Sequence, residues 1–228
     1  RPGQFVCVYT KNAAALLPRP ISICEVNEEK TMLRLVYRTV GTGTNEFAAY
    51  HAGTEISLLG PLGNGFPVEK AAGKRVFLIG GGIGIPPMLQ LSKEIKKAGQ
   101  AYCELSVLGY RNELFLNTDL EKYSQVYVAT EDGSAGTKGT VLDAIKEKGL
   151  SGDVIFACGP MPMLRAVKEY AAANNMEAYI SLEEHMACGV GACLGCVCKT
   201  KNVDAHSHVH NSRICTDGPV YNAEEVEI

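Results

Sequence analysis

The sequence predicts three successive units: a small antiparallel β-barrel over residues 1–70, an α/β domain with a doubly wound parallel sheet over residues 71–180, and a small cysteine module over residues 181–228. Short β-type runs separated by turn residues fill the first unit. Strand and helix patterns alternate from Lys74 onward, which is typical of a parallel sheet. Five of the nine cysteines lie in the last unit, which sets it apart by composition.

The first unit is predicted to be all-β because its apolar runs are short and rich in β-branched and aromatic residues. Only one of these runs precedes Arg19, which is few for a closed barrel. A turn-rich connector, residues 61–67, ends the unit, and Asn64-Gly65 is its strongest turn signal. The predicted strands are residues 4–9, 21–24, 31–38 and 55–59.

Two short motifs in this unit indicate a site for a nucleotide-type cofactor. Pro20 fixes φ at the start of a strand, so Arg19 is expected to present a rigid fork suited to a phosphate, with the Ser22 hydroxyl on the same side. The glycines and threonines between Tyr37 and Thr44 follow another strand, where they are able to donate hydrogen bonds to phosphates. A solvated surface arginine is the plainer interpretation of Arg19 alone, so the two motifs carry weight only together.

The α/β unit opens with a buried strand, residues 75–79, followed by a glycine-rich loop and a helix over residues 88–97. Small residues at such a turn let a dinucleotide pyrophosphate approach the positive end of the helix dipole, although the loop departs from the G-x-G-x-x-G fingerprint. A tight strand-to-helix turn is the structural alternative, but it would not need four glycines in five positions. The loop glycines expected at the cofactor are Gly81, Gly82 and Gly84.

Ligands in an open doubly wound sheet bind at the carboxyl ends of the strands. Cys158-Gly159-Pro160 lies at one such end, where a ring is able to lie close to the backbone. Tyr110 and Arg111 lie at another strand end, and one of them is expected to reach the adenosine end of a dinucleotide. The sequence does not decide whether that dinucleotide is NADH or NADPH. The further predicted strands are residues 101–109, 125–129, 153–157 and 177–181, and the further helices are residues 141–148 and 161–173.

The third unit carries a C-x4-C-x2-C run followed by a distant cysteine, which is the plant-type spacing of a 2Fe-2S cluster. Two irons and two sulfides need four converging thiolates, and a short loop supplies three of them only if its backbone curls tightly. Gly189, Gly191 and Gly195 allow that curl because glycine adopts positive φ without strain. Backbone N–H groups of the loop are expected to point at the sulfurs. The four cysteines are Cys188, Cys193, Cys196 and Cys215.

A structural zinc site is the main alternative, because four histidines lie nearby. Zinc usually binds paired C-x2-4-C units, and glycines do not normally wrap its cysteine ligands. Cys198 is interpreted as a neighbour of the cluster, and disulfides are not expected because no secretory signal opens the chain. The histidines are His185, His206, His208 and His210, and the last three are expected at a solvated hairpin tip.

Composition and charge argue against several classes of function. Twenty-two basic and twenty-five acidic side chains give a net charge of −3, which argues against nucleic-acid binding because phosphates need a basic patch. The longest uncharged run, residues 76–92, is a glycine-rich loop with its flanks and not a membrane span. Nine cysteines without a secretory signal predict reduced thiols in a cytoplasmic protein.

In its order of motifs the chain resembles the ferredoxin–NADP reductase superfamily, and within it the electron-transfer subunits of class 1B dihydroorotate dehydrogenase. The resemblance extends over nearly the whole chain and implies a plant-ferredoxin-like fold for the 2Fe-2S module. It also implies a first barrel strand before Pro2, which this sequence lacks. The segments that carry the resemblance are residues 16–24, 59–66, 80–84, 158–160 and 215–220.

The resemblance implies FAD in the barrel, NAD(H) as co-substrate across the α/β domain and a 2Fe-2S cluster in the last unit, with no side chain as catalytic acid or base. The residues implied for FAD are Arg19, Pro20, Ile21, Ser22, Val36, Tyr37, Arg38, Gly43 and Thr44. Those implied for NAD(H) are Gly81, Gly82, Gly84, Cys158, Gly159 and Pro160, and the implied cluster ligands are Cys188, Cys193, Cys196 and Cys215.

The implied function is electron transfer in pyrimidine (UMP) biosynthesis between NAD and an FMN-containing dihydroorotate dehydrogenase catalytic subunit, with two copies of each chain in a heterotetramer. In that setting electrons run from dihydroorotate toward NAD+ by way of the cluster and FAD. Three alternatives stay open: a related NAD(P)H-dependent reductase subunit that serves a sulfide, ferredoxin or oxygenase acceptor; a zinc-binding module without redox chemistry; and a sensor whose cluster regulates a partner.

Overall fold

A computed structural model describes residues 1–204 and 208–228 as an N-terminal sheet, a large mixed sheet and a short hairpin. The strands are β1 Phe5–Val8, β2 Arg19–Val26, β3 Leu33–Leu35, β4 Leu58–Leu62, β5 Arg75–Gly81, β6 Cys103–Tyr110, β7 Gln125–Thr130, β8 Thr137–Lys138, β9 Val154–Cys158, β10 Glu177–Ser181, β11 Val197–Lys199, β12 Asn211–Arg213 and β13 Val220–Asn222. The α-helices are α1 Thr42–Ala48, α2 Pro86–Ala98, α3 Asn117–Leu120, α4 Val141–Glu147 and α5 Met161–Ala173.

The N-terminal sheet is antiparallel and runs in the order β3-β2-β1-β4. Side chains alternate between its two faces, as they must in strands. Val6 and Ile21 pack with Phe47 of α1 on one face. Phe5 and Cys7 lie on the other face, in a core that is shared with the large sheet and the cysteine module. The sheet therefore presents one face to helix α1 and the other to the rest of the molecule.

Two secondary-structure predictions in this unit were wrong. The strand predicted over residues 31–38 ends at Leu35, and the residues predicted as a loop at its end form the first turns of α1. The Thr44 hydroxyl accepts hydrogen bonds from the backbone N–H groups of Val40 and Gly41 at 2.9 and 3.1 Å, which starts this helix. Glycine and threonine both have low helix propensity, so local sequence patterns do not predict this helix.

The large sheet runs in the order β13-β10-β9-β5-β6-β7-β8, and its strands pair in parallel except for β13, which is antiparallel to β10. Helices α2 and α3 pack on one face, and α4 and α5 on the other. These helices on both faces confirm the doubly wound prediction. The chain moves outward from β5 in both directions, so the carboxyl ends of β5 and β9 border the crevice where such sheets bind ligands.

The cysteine module is tied to both sheets. Strand β13 completes the large sheet by pairing with β10, with Val220 opposite Ser181. The connector after β4 also reaches the module, since the backbone N–H of Asn64 donates to the carbonyl of Gly218 at 2.6 Å. The N-terminal sheet, the large sheet and the cysteine module therefore meet around residues 215–219.

Two remaining predictions concern the surface of the chain. His208 and His210 are exposed, as expected of a polar tip, and His206 lies outside the described residues. In the described part of the chain, no helix combines the length and the apolar character needed to cross a membrane.

Candidate functional site

One end of the predicted flavin site is built by Arg19 of β2 and the start of α1. The guanidinium of Arg19 lies directly against Gly43, where a Cβ would come within 2.7 Å of Cζ. Arg19 also donates a hydrogen bond from its guanidinium to the carbonyl of Leu17. These contacts hold the positive charge beside the backbone N–H groups of the first helical turn, and both features favour a negatively charged group such as a phosphate.

Ser22 lies on the opposite face of β2 from Arg19, so the predicted shared side was wrong. The two residues are three positions apart in a regular strand and therefore point in opposite directions. Pro20 and Ser22 instead share a face with Cys7 and Phe5, which lie opposite them in β1. This face is turned toward the cysteine module. The two faces of the motif at residues 19–22 therefore meet different parts of the molecule. Arg19 contacts helix α1, whereas Pro20 and Ser22 face the predicted cluster.

The other residues implied for FAD are divided between core and surface. Ile21 is buried in the core that contains Phe47, and Val36 packs against the core beneath the large sheet. The Tyr37 ring meets the Phe47 ring edge-on, with centroids 5.9 Å apart. Arg38 is exposed. The Ile21 side chain therefore belongs to the core, whereas the side chains of Val36 and Tyr37 are only partly buried.

The glycine-rich loop after β5 lies in contact with the CGP turn, residues 158–160, because β5 and β9 are parallel neighbours. A Cβ at Gly84 would lie 2.5 Å from the backbone nitrogen of Gly159. A Cβ at Gly81 would lie 3.0 Å from Cδ of Pro160. The structure thus brings the two predicted NAD motifs together. Gly81 and Gly84 must be glycine because they lie so close to the CGP turn that a Cβ would clash with it.

Gly82 differs from its neighbours in the loop. Apart from Gly82 itself and its two chain neighbours, no atom of the described residues lies within 4 Å of the position that its Cβ would take, and its φ is +51°. The residue precedes α2, which begins at Pro86, two residues before the predicted helix over residues 88–97. Open space beside a helix start suits a pyrophosphate. In the adjoining CGP turn, burial raises the pKa of the Cys158 thiol to about 12, so this side chain is neutral at physiological pH.

The two residues predicted at the adenosine end have different surroundings. Tyr110 is buried, and its hydroxyl donates to the carbonyl of Phe115 at 2.9 Å. Arg111 is exposed, and its Nε lies 3.8 Å from a carboxylate oxygen of Glu131. Tyr110 is therefore a packing residue, and Arg111 is the one of the two whose side chain is accessible to a ligand.

The cluster loop, residues 188–196, turns its backbone N–H groups toward cysteine sulfurs. Hydrogen bonds of this kind stabilise thiolates and tune the potential of an iron–sulfur cluster. Four of them, with N···S distances of 3.2–3.4 Å, run from Val190 and Cys193 to Cys188, from Gly191 to Cys215 and from Gly195 to Cys193. The loop therefore has the donor pattern that the sequence predicted.

Two of the three glycines expected to curl this loop adopt a left-handed conformation. Gly189 has φ +70° and Gly191 has φ +79°. The prediction for Gly195 was wrong, because the left-handed residue at that point is Leu194, with φ +56°. A Cβ at Gly191 would also lie 2.8 Å from Cγ2 of Thr216. The curl of the loop therefore requires glycine at positions 189 and 191 but not at position 195.

The four predicted cluster ligands lie as two contacting pairs. Cys188 and Cys193 form the more exposed pair, and Cys196 and Cys215 form a buried pair. Backbone hydrogen bonds, that of Val190 foremost, lower the pKa of Cys188 to about 6, so this thiol ionises at neutral pH. Burial raises the pKa of Cys215 to about 12. A buried thiolate at that place needs a cationic centre beside it.

These pairs fit a binuclear cluster. In a 2Fe-2S cluster each iron takes two cysteine thiolates, and inorganic sulfides complete its coordination. Within residues 1–204 and 208–228, no group of three or more His, Cys, Asp or Glu side chains is arranged to hold a single metal ion. Cys198 contacts the hydroxyl of Tyr221 and lies beside the pairs.

The C-terminal hook, residues 215–219, is held by side chains that sequence reasoning missed. Asn64 donates from Nδ2 to the carbonyls of Thr216 and Asp217 at 3.0 and 3.1 Å. The Asp217 carboxylate accepts from the backbone N–H of Arg213 at 2.9 Å and from its Nε at 3.2 Å. Asn64 looks like a turn residue in the sequence, because its partners lie 152 and 153 positions away. These contacts fix the position of Cys215.

The more exposed ligand pair lies at an apolar part of the surface. Val190 and Leu194 flank Cys193 in the sequence and are 52% and 55% exposed. Both residues belong to the cluster loop, and exposed apolar side chains beside a site are a feature of contacts with another protein. The cluster loop therefore carries the predicted cysteine ligands on its inner side and a candidate docking surface for another protein on its outer side.

Two protein-family models match the chain. Residues 183–227 match the iron-sulfur cluster binding domain of dihydroorotate dehydrogenase B, and residues 78–169 match an oxidoreductase NAD-binding domain. The chain is 44% identical to the dihydroorotate dehydrogenase B (NAD(+)) electron transfer subunit of Geobacillus sp. (strain WCH70), over 99% of this chain and 86% of that relative. A protein of the same name from Bacillus velezensis is also 44% identical, over 100% of this chain and 87% of the relative.

Solved structures show the same fold. A chain from a structure of the NADH-dependent reduced ferredoxin-NADP oxidoreductase, a protein of flavin-based electron bifurcation, matches with a TM-score of 0.87 and 30% identity, over 100% of this chain and 79% of that one. A ferredoxin NADP+ reductase from Neisseria gonorrhoeae matches with a TM-score of 0.61 and 18% identity, over 77% of this chain and 79% of that one, which is a likeness of fold alone. These matches confirm the predicted fold class.

Proposed function

The chain belongs to the family of dihydroorotate dehydrogenase B electron transfer subunits, and on that premise we propose that it passes electrons between NAD and a dihydroorotate dehydrogenase catalytic subunit through FAD and a 2Fe-2S cluster. The observation that carries the proposal is the cluster loop, where backbone N–H groups converge on two contacting cysteine pairs. The reaction would serve pyrimidine biosynthesis in the cytoplasm.

The residues of this chain bind and orient the cofactors, which supply the redox chemistry. Arg19 and the first turn of α1 would hold the phosphates of FAD, and Pro20 and Ser22 would face its ring system. Gly82 and the start of α2 would hold the pyrophosphate of NAD, and the CGP turn would bind its nicotinamide. When bound, a flavin exchanges electron pairs with nicotinamide and single electrons with an iron–sulfur cluster, so no side chain is needed as acid or base.

The cluster would be held by one cysteine pair at each iron. Cys188 and Cys193 would bind the outer iron, and Cys196 and Cys215 the inner one. Val190 and Leu194 lie in the same loop as Cys188 and Cys193 and would be where an FMN-containing catalytic subunit docks, with two copies of each chain in the assembly. Burial of these two side chains by the partner would also shield the cluster from water, which affects its potential.

A second candidate is an NADH-linked subunit of a ferredoxin-type oxidoreductase. The 30% identity to the chain from the NADH-dependent reduced ferredoxin-NADP oxidoreductase structure favours it. The 44% identity to the dihydroorotate dehydrogenase B subunits outweighs it. The partner that co-purifies with the chain from native cells separates the two candidates: an FMN-containing dihydroorotate dehydrogenase supports the first, and a ferredoxin-binding subunit supports the second.

The cofactor content is tested on the purified chain. We expect iron and acid-labile sulfide in equal amounts, bound FAD, and reduction of an artificial dye by NADH. Cys193→Ser is expected to change the visible absorption of the cluster, while Cys103→Ser, at a partly buried position in β6, is the matched control. Zinc in place of iron, or an unchanged spectrum in Cys193→Ser, would contradict the proposal.

A further inference from the structure

Cys7 of β1 is a buried cysteine to which the proposed electron path assigns no role. Its side chain is 0% exposed. In the β1–β2 register it lies directly opposite Pro20, so the two side chains share one face of the sheet. Its Sγ lies 2.9 Å from the position that a Cβ of Gly189 would take. One residue therefore contacts the strand of the flavin site on one side and the cluster loop on the other.

The surroundings of Cys7 link it to both halves of the cluster. Gly189, which it contacts, directly follows Cys188 of the more exposed ligand pair, and Cys7 lies in the same buried core as Cys196 and Cys215 of the other pair. Leu62 of β4 lies at the same point of the loop, with Cδ1 3.3 Å from the Cβ position of Gly189. The contact requires glycine in the loop and a small side chain in the strand, because a larger group at either place would separate the loop from β1.

From this placement we propose that Cys7 is a positioning residue for electron transfer: it seats the cluster loop on strand β1 and tunes the reduction potential of the cluster. The proposal rests on the proposed function, since it requires a 2Fe-2S cluster in the loop. A neutral thiol is a weak hydrogen-bond donor and a polarisable neighbour. Placed beside cluster thiolates, it favours the more negative, reduced cluster and so raises the potential.

Seating the loop has a second consequence for the electron path. The cluster loop contacts the side chain of Cys7, and the backbone of Cys7 pairs with Pro20 of β2. Cys7 therefore helps to set the distance between the cluster loop and the strand of the flavin site. A change at this position is therefore expected to alter the rate of electron transfer between FAD and the cluster as well as the potential.

The test compares Cys7→Ala and Cys7→Ser with the matched control Cys24→Ala in the holoprotein. Cys24 is also 0% exposed, but it packs in the core beneath the large sheet, away from the cluster loop. The measurements are a redox titration followed by electron paramagnetic resonance and the rate of cluster reduction after mixing with NADH. We expect a more negative midpoint potential and shifted g values in Cys7→Ala, a smaller shift in Cys7→Ser, and wild-type values in Cys24→Ala.

Each outcome decides the proposal. A loaded Cys7→Ala protein with the potential, g values and transfer rate of the wild type overturns it. Loss of iron with retention of FAD in Cys7→Ala alone supports the seating role. If Cys7→Ala loses both cofactors, Cys7→Ser decides: shifted values support the proposal, and wild-type values overturn it. A wild-type chain that binds zinc or no iron overturns the proposed function itself, and this is visible before any variant is made.

Discussion

The guanidinium of Arg19 lies directly against Gly43, the second residue of helix α1, and leaves no space for a side chain there. The two residues belong to separate sequence motifs. The fold brings them together because β2 and α1 pack across one core, in which Ile21 and Phe47 are buried. Their contact makes a single corner that would offer the phosphate of a cofactor both a fixed positive charge and the start of a helix.

Gly43→Ala is expected to lower the affinity for FAD roughly ten- to a hundredfold. The new Cβ displaces Arg19, and a lost charge-assisted hydrogen bond costs about 1.5–3 kcal/mol. Fluorescence titration of the apoprotein with FAD measures the effect, and Arg19→Ala should match it. Gly41→Ala is the control, because Gly41 has extended backbone and nothing within 4 Å of its Cβ position. Similar losses in both glycine variants would contradict the predicted corner.

Gly84→Ala is expected to raise the KM for NADH and to lower the melting temperature. Its Cβ would meet backbone atoms of the CGP turn, which cannot move aside as a side chain can. Overpacking of this kind costs about 1–3 kcal/mol, which lowers Tm by several degrees in a chain of this size.

Gly109→Ala is the matched control for that change, since it lies in the adjacent strand β6. Among the described residues, a Cβ there would lie closest to Cγ1 of Val141, at 2.9 Å, a side chain that is able to adjust, and would make only ordinary contact with the carbonyl of Gly80, at 3.8 Å. Thermal unfolding and steady-state kinetics with NADH measure both variants. A larger effect in Gly109→Ala than in Gly84→Ala would show that the loop is not seated on the CGP turn.

Gly191→Ala is expected to abolish retention of the iron–sulfur cluster. Gly191 has φ +79°, and a Cβ there would lie 2.8 Å from Thr216 in the hook that carries Cys215. Gly195→Ala is expected to retain the cluster, because a Cβ at that position makes only ordinary contact with Cys193 Sγ at 3.5 Å. Iron and sulfide per chain, with the visible spectrum, distinguish the two. Loss of iron in Gly195→Ala alone would reverse the assignment.

Glu177→Gln is expected to destabilise the protein at neutral pH and to have little effect in acid. Hydrogen bonds from Lys70, Tyr179 and Lys74 lower the pKa of Glu177 from 4.5 to about 2. The charged carboxylate therefore stabilises the fold above pH 4.5, and this contribution is lost as the pH falls toward 2. Because the site is partly exposed, we expect about 1–2 kcal/mol at pH 7.

Denaturant unfolding of wild type and Glu177→Gln, followed by circular dichroism at pH 7, 5 and 3, checks this pH dependence. The difference in unfolding midpoint should be largest at pH 7 and should shrink between pH 5 and pH 3. A difference that is the same at all three values would mean that the charge of Glu177 does not contribute.

The helices and strands of the α/β domain were predictable because their periodic patterns are local. Strand β5 is a run of apolar residues that are buried on both faces, and Pro86 begins α2 as its chemistry suggests. The start of α1 was not predictable, because it depends on one hydroxyl of Thr44 that accepts from two preceding N–H groups. The prediction that Arg19 and Ser22 lie on the same side was wrong because Arg19 lies within the strand and not before it. Residues three positions apart in a strand point to opposite faces.

By itself the sequence predicted the three-unit order, nucleotide-type cofactors in the first two units and the 2Fe-2S spacing of the cysteines, since these depend on residue type and short-range separation; FAD and NAD were implied by the family resemblance. The tertiary structure alone decided which distant residues share a site. It placed Arg19 against Gly43, Asn64 on the hook beyond Cys215, and Cys7 behind Gly189. Such contacts depend on how sheets and loops pack in space, and no local pattern of the chain encodes them.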